Sequence, residues 1–284
     1  MVLSMVGILI LIYVNVLITL LIISEDIGIF VKETKSHHNQ IVEIHGLTTT
    51  KFFLIGLVTF GYDLTDYDDL FNEKLGLYDA LRNEKAVTWS GKFRAALKNQ
   101  EVYPKTENGK LETYIGIGGS PESVIRAVNF GYKVIIAIIG GQASRFKPYI
   151  QLYHAAAKEL GKPEFPIAVH SHGFIADDED EAIEVAFKNI KANFDRIGLT
   201  RGWAPMSREQ FDGEIKVGSF YVGNPETVAR RMAETIDLLD LGRFDLVYGA
   251  GNQTAAQRER MIELYGTKVI PRVKEILAEK AAVK

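Results

Sequence analysis

Cysteine is absent from the 284-residue chain. That excludes disulfides, thiolate catalysis and Cys-ligated zinc, and it is compatible with a reducing compartment. A basic excess is lacking too: 33 Lys and Arg stand against 36 Asp and Glu, a formal net charge of −3. Nucleic-acid binding needs a basic face and is disfavoured on that ground. Apolar residues, by contrast, make up 47% of the chain. They suffice for a sizeable core, in one large domain or two small ones.

Charge is missing altogether from Met1–Ile23, where only Ser4, Asn15 and Thr19 interrupt an apolar run. Its length predicts a transmembrane helix over 1–23. The run has neither the basic start nor the small-residue cleavage site of a signal peptide. Lys32 and Lys35 follow it and no Lys or Arg precedes it. Membrane contact through 1–23 would therefore leave the C-terminal part on the cytoplasmic side. Residues 31–60 carry no clear period. The abrupt change in composition leaves a second reading open, that 1–59 is a misassigned start.

From Gly61 onward the pattern becomes regular. Asp66–Arg82 places Leu70, Phe71, Leu75, Tyr78 and Leu81 near one helical face. Ala86–Trp89 reads as a short strand, Ser90-Gly91 as a turn and Ala95–Asn108 as loop. A helix over Pro121–Phe130 is stopped by Gly131. Val134–Ile139 is a continuous apolar run, as in a strand buried on both faces. Ala143–Leu160 is mostly helical, with Pro148 near its true start. A strand over Ile167–Ala176 leads into an acidic helix start at Asp177–Glu181, reaching about Ile197. Leu199–Gly218 is a polar insert with a short helix near Ser207–Phe211. Then follow a helix over Asn224–Leu241, a strand over Phe244–Tyr248 and helices over Ala255–Leu264 and Val269–Ala282. Strands alternating with helices predict an α/β fold with a parallel sheet and right-handed crossovers.

Glycines gather at the strand ends, where α/β folds place ligands. In Tyr114-Ile115-Gly116-Ile117-Gly118-Gly119-Ser120-Pro121-Glu122-Ser123-Val124 a strand ends in glycines and a helix starts at once. Ser120 suits the N-cap, Pro121 the first helical position and Glu122 the first turn. Free N–H groups at such a start favour a phosphate, and Gly118 and Gly119 let it approach the backbone. The plain alternative is a well-capped helix and nothing more. The dinucleotide fingerprint is not met, because the third glycine is missing. The stretch is echoed by Gly223-Asn224-Pro225-Glu226-Thr227-Val228. With one glycine in place of a pair, the echo reads as structural.

Few other residues offer chemistry. His170 and His172 lie two apart on a strand and face the same way. They could line a polar pocket, pack in the core or bind a metal, but no third ligand is evident and no metal is assigned. Asp177, Asp178, Glu179, Asp180 and Glu181 read as a solvated helix start. Arg145 and Lys147 follow Gly140-Gly141 and could reach an anion. Tyr248 ends a strand and could line the pocket. The residues name no catalytic group.

From about Phe60 to the C-terminus the chain resembles the bacterial luciferase-like flavin monooxygenases. The resemblance is carried by Phe60-Gly61-Tyr62-Asp63-Leu64, Val87-Thr88-Trp89-Ser90-Gly91, Gly118–Ser123, Ala137–Gly141, Val169–Phe174, Tyr221–Ala229 and Glu263–Val269. It implies an α/β fold of TIM-barrel type, with a barrel portion over 60–284 and an unmatched segment over 1–59. It implies reduced FMN and molecular oxygen acting on a small organic substrate, and it allows a flavin reductase partner and a homo-oligomer. It assigns the FMN phosphate to Gly119, Ser120 and Ser123, beside Gly118. Members carry a barrel front half that Met1–Thr59 does not resemble. The expectation is an incomplete barrel behind a hydrophobic N-terminal helix, in the cytoplasm or tethered to its membrane. An inactive or membrane-tethered remnant is the alternative. A metal-dependent TIM-barrel hydrolase using His170 and His172 is a third reading.

Overall fold

The computed structural model describes residues 29–32, 63–103, 112–249 and 252–283. The apolar stretch 1–23 lies outside them. Among the described residues no helix is long and apolar enough to cross a membrane. The chain divides into two compact units, Met1–Gly116 and Ile117–Lys284.

The first unit contains β1 (Ile29–Lys32), α1 (Tyr67–Asn83), β2 (Val87–Trp89), β3 (Leu97–Gln100) and most of β4 (Glu112–Ile117). β1 and β4 are antiparallel, with Ile29 opposite Ile115. α1 buries Leu70, Phe71, Leu75, Leu77 and Tyr78, as its period requires, while Leu81 is half-buried. The Tyr78 hydroxyl meets Thr113 Oγ1 at 2.6 Å. Residues 97–100, expected as loop, instead pair antiparallel with β2. Lys98, Asn99 and Gln100 are exposed, so this strand has no apolar alternation to betray it.

The second unit continues with α2 (Pro121–Phe130), β5 (Lys133–Ile138), a 3₁₀ turn (Ala143–Phe146) and α3 (Lys147–Glu159). Next come β6 (Ile167–Ile175), α4 (Glu179–Arg201), α5 (Arg208–Lys216), β7 (Tyr221–Gly223), α6 (Pro225–Leu239) and β8 (Leu241–Val247). It ends with α7 (Ala255–Leu264), a π-helical segment (Tyr265–Val269) and α8 (Ile270–Val283). This is the expected α/β alternation. β6 is central and pairs in parallel with three strands. β5 aligns Ile138 with Ser171, β8 aligns His172 with Val247, and β7 aligns Gly173 with Tyr221. β5 buries Val134, Ile135, Ile136 and Ile138, as a strand covered on both faces does.

Several helix ends fall where their capping residues direct. Ser120 caps α2, and Gly131 closes it in the left-handed conformation. Thr254 and Gln257 form a capping box on α7. Three further elements differ from expectation. α4 runs on to Arg201 before Gly202 ends it. α5 continues past Phe211 to Lys216. β7 is a strand of three residues, too short for a period to appear. α6, β7, β8, α7 and α8 enclose a core that includes Tyr221, Val228, Met232, Leu246 and Val269.

Candidate functional site

The turn between β4 and α2 is built from the residues singled out above. Gly118 is exposed, while Gly119 and Ser120 are half-buried. Gly119 has φ +113°, a backbone region that side chains other than hydrogen strain to reach. A Cβ on Gly119 would stand 3.6 Å from the Tyr149 hydroxyl and 3.7 Å from the Phe146 ring. The cradle is therefore narrow, with two aromatic residues of the 3₁₀ turn and α3 along one side.

Ser120 Oγ accepts the Ser123 N–H at 3.2 Å and lies 2.9 Å from Ser123 Oγ. Each hydroxyl has one proton. If Ser123, which is buried, donates to Ser120, the Ser120 O–H stays free for a ligand. The N–H groups of Gly119, Ser120 and Glu122 have no hydrogen-bond partner among the described residues. Those donors, the helix dipole and the free hydroxyl all suit an anion. Arg145 adds a cation near the next strand end. A Cβ on Gly141 would be 2.8 Å from its Nη1, and no carboxylate among the described residues pairs with it. Lys147, its companion in the sequence reading, is exposed at the start of α3.

Two other glycine turns in this unit are closed by the chain's own carboxylates. At the end of β5, Glu214 accepts the Gly141 N–H at 2.9 Å and the Ser219 N–H at 2.9 Å. At the end of β7, Glu179 accepts the Asn224 N–H at 2.7 Å. A Cβ on Gly223 would lie 2.8 Å from the same carboxylate. The echoed motif thus exists in two conditions. Its second copy is filled by a carboxylate of the protein, and the Gly118–Ser123 copy takes none from the described residues.

The acidic run is only partly the solvated helix start that was expected. Asp178 caps α4 by accepting the Glu181 N–H at 2.9 Å. Glu179 bridges to α6. Asp177 forms a two-pronged pair with Arg260 at 2.6 and 2.8 Å, which holds its carboxyl below the usual carboxylate range.

His170 and His172 sit on β6 in register with Asp245 and Val247. Ser171 between them points the other way; its Oγ lies 2.6 Å from Ile138 O and 2.7 Å from Ser219 O, and its one proton is shared between these two carbonyls. The His172 ring meets Phe194 edge-on at 5.7 Å and Phe220 at 6.3 Å. Burial, reinforced by His170, pushes its pKa down to about 4, so the ring is neutral near pH 7. Tyr248, one residue past β8, packs half-buried against the core. Among the described residues no group of three or more His, Asp or Glu could hold a metal ion.

Phe146, Tyr149 and Glu214 were not legible as site residues. Only the nearby glycine pairs hinted at them, and a glycine does not say which side chain will cover it.

A parallel α/β scaffold with a glycine-rich turn at a strand end defines a class of ligand-binding and catalytic proteins. Within that class the sequence profile of the luciferase-like monooxygenases matches residues 53–240. The chain belongs to the luciferase-like monooxygenase family. No curated protein matches it in sequence.

Solved structures of the same fold include monooxygenase RslO1 from Streptomyces bottropensis, at 19% identity and a TM-score of 0.61. That match covers 76% of this chain and 64% of RslO1, so the chain spans just under two thirds of that relative. The oxygenating constituent of 3,6-diketocamphane monooxygenase from Pseudomonas putida, solved with FMN, matches at 19% identity and TM-score 0.58. There 80% of this chain and 69% of the other are covered. An F420-dependent secondary alcohol dehydrogenase matches at 16% identity and TM-score 0.57, over 77% of this chain and 66% of that one. These likenesses support the TIM-barrel type of α/β fold.

Proposed function

We propose that the chain is a flavin-dependent oxidoreductase that holds FMN by its phosphate at Gly118, Gly119, Ser120 and Ser123. The observation that carries this reading is the contrast between turns. Two glycine turns take a carboxylate from the chain itself, whereas the one at Gly119 keeps its N–H groups unpaired. The Gly119 cradle fits a phosphate, since a Cβ there would fill it against Tyr149 and Phe146. Ser120 donates to the anion, and Ser123 holds Ser120 in place. Arg145, with no carboxylate partner among the described residues, lies at the next strand end beside Gly141.

Reduced FMN, when bound, supplies the electrons for reaction of molecular oxygen with an organic substrate. The protein's part is to bind, orient and exclude water, so no strong nucleophile is required. A separate flavin reductase is the source of reduced cofactor in this reading. F420 also carries a phosphate, and the F420-dependent dehydrogenase of like fold makes it the second candidate.

Titration with FMN, riboflavin and F420 tests the proposal. FMN should quench on binding and bind at least about tenfold tighter than riboflavin, which lacks the phosphate. Ser120→Ala should remove most of that difference. Equal binding of FMN and riboflavin, or no binding at millimolar concentration, would defeat the phosphate assignment. Binding of F420 in preference to FMN would replace the cofactor and keep the site.

A further inference from the structure

Two tyrosines on α3 are spent differently. Tyr153 is buried, and its hydroxyl accepts the Phe165 N–H at 3.1 Å. Tyr149, about one turn earlier, is half-buried, and its hydroxyl has no hydrogen-bond partner among the described residues. That hydroxyl is not one of the atoms shut off from water, so a ligand can reach it.

Packing, rather than a bond of its own, fixes where Tyr149 stands. Ile150 and Tyr153 bury one face of α3, and α3 packs against α2. The Tyr149 and Phe146 rings lie 6.2 Å apart, tilted by 46°. Both border Gly119. Of the three atoms nearest the point where a Gly119 Cβ would stand, two are ring carbons. The third, the Tyr149 hydroxyl at 3.6 Å, is polar. An unpaired hydroxyl thus stands beside a turn whose N–H groups are also unpaired.

We infer that Tyr149 is a further phosphate-binding residue, whose O–H donates to the cofactor phosphate from the α3 side of the turn and sets the preference for a phosphorylated over an unphosphorylated flavin. The inference rests on the flavin reading, for which it names a residue that determines cofactor specificity. A phenol O–H can donate to an anionic oxygen, and a ring carbon such as those of Phe146 cannot. A hydrogen bond to a charged oxygen is stronger than one between neutral groups. Tyr149 gives up no bond within the protein to make it. Its ring is already bordered by Phe146 and Gly119, so little side-chain freedom is lost when the phosphate arrives.

Tyr149→Phe removes the hydroxyl alone, and FMN and riboflavin are the probes. The variant should bind FMN about tenfold more weakly than the wild type and riboflavin equally well. Its melting temperature without cofactor should not change, since the hydroxyl bonds to no other described residue. Should F420 bind in preference to FMN, the same comparison is made between F420 and its phosphate-free deazaflavin. Unchanged affinity for the phosphorylated cofactor, or an equal loss for both members of the pair, would overturn the inference. So would a lower melting temperature of the cofactor-free variant, which would show that the hydroxyl already serves the fold. The wild type separates this failure from that of the flavin reading. A preference for the phosphorylated cofactor that Tyr149→Phe keeps in full removes Tyr149 and leaves the flavin reading standing. A wild type with no such preference removes both.

Discussion

The Glu179 carboxylate accepts the backbone N–H of Asn224 at 2.7 Å, across 45 residues of sequence. The first turn of one helix thereby supplies the anion at the start of another. Asn224 closes the same turn from the other side, accepting the N–H groups of Glu226 and Thr227. At Gly119-Ser120 the cap is present, in Ser120, but among the described residues no carboxylate takes the place of Glu179.

Glu179→Ala should therefore do more than remove a surface charge. It frees a half-buried donor at the start of α6 and should cost about 1–2 kcal/mol. Added sulfate should recover part of the loss in the variant and little in the wild type. Urea titration with and without sulfate measures both. Unchanged stability would mean that the bridge contributes nothing.

Gly119→Ala and Gly131→Ala form a matched pair. Both glycines have positive φ, +113° and +66°, and neither would meet a close clash on gaining a Cβ. Each substitution should cost on the order of 1 kcal/mol in backbone strain. Only Gly119→Ala should weaken FMN, since Gly131 lies at the far end of α2. Parallel losses of FMN affinity in both variants would show a general effect of instability.

Glu214 ties α5 to the end of β5 and to the loop at Ser219. Glu214→Ala leaves two backbone donors unpaired and should destabilise by about 1–3 kcal/mol. Exposed Lys216, at the end of α5, should then become a fast tryptic site. Limited proteolysis followed by mass analysis reads this directly. An unchanged cleavage pattern would separate α5 from its carboxylate anchor.

His172 gives the protein a pH dependence of definite sign. Its folded-state pKa of about 4 lies below the ordinary 6.5, so the unfolded chain takes up a proton that the folded chain refuses. Stability is full above pH 6.5 and falls as the pH drops toward 4. The loss should be about 2 kcal/mol, less than the whole shift would give because the residue keeps some exposure to solvent. His172→Phe should flatten this part of the profile. Denaturation at pH 7, 5.5 and 4 compares the two proteins, and identical slopes would remove His172 as the cause.

Helix ends were the most legible part of the fold. Ser120, Pro121 and Gly131 announce α2 because capping is a local affair between neighbours in sequence. β5 was legible because it is apolar throughout. β3 was not, since its exposed side chains carry no alternation, and β7 was not, since three residues hold no period. At the candidate site the glycines and serines could be read, but their surroundings could not. Whether Gly223 is filled by Glu179, or Gly119 flanked by Tyr149, depends on chain crossings that no local pattern encodes.

The wide turn at Tyr265–Val269 joins α7 to α8 without a break. Leu264 and Val269 are both buried although they stand five positions apart, where an ordinary helix would repeat after three or four. One surplus residue has been absorbed, and it turns everything downstream by about 100° about the rod's axis. Val273 and Ile276 face inward because of that rotation. Remove the surplus, and the last helix would offer its oily stripe to the solvent.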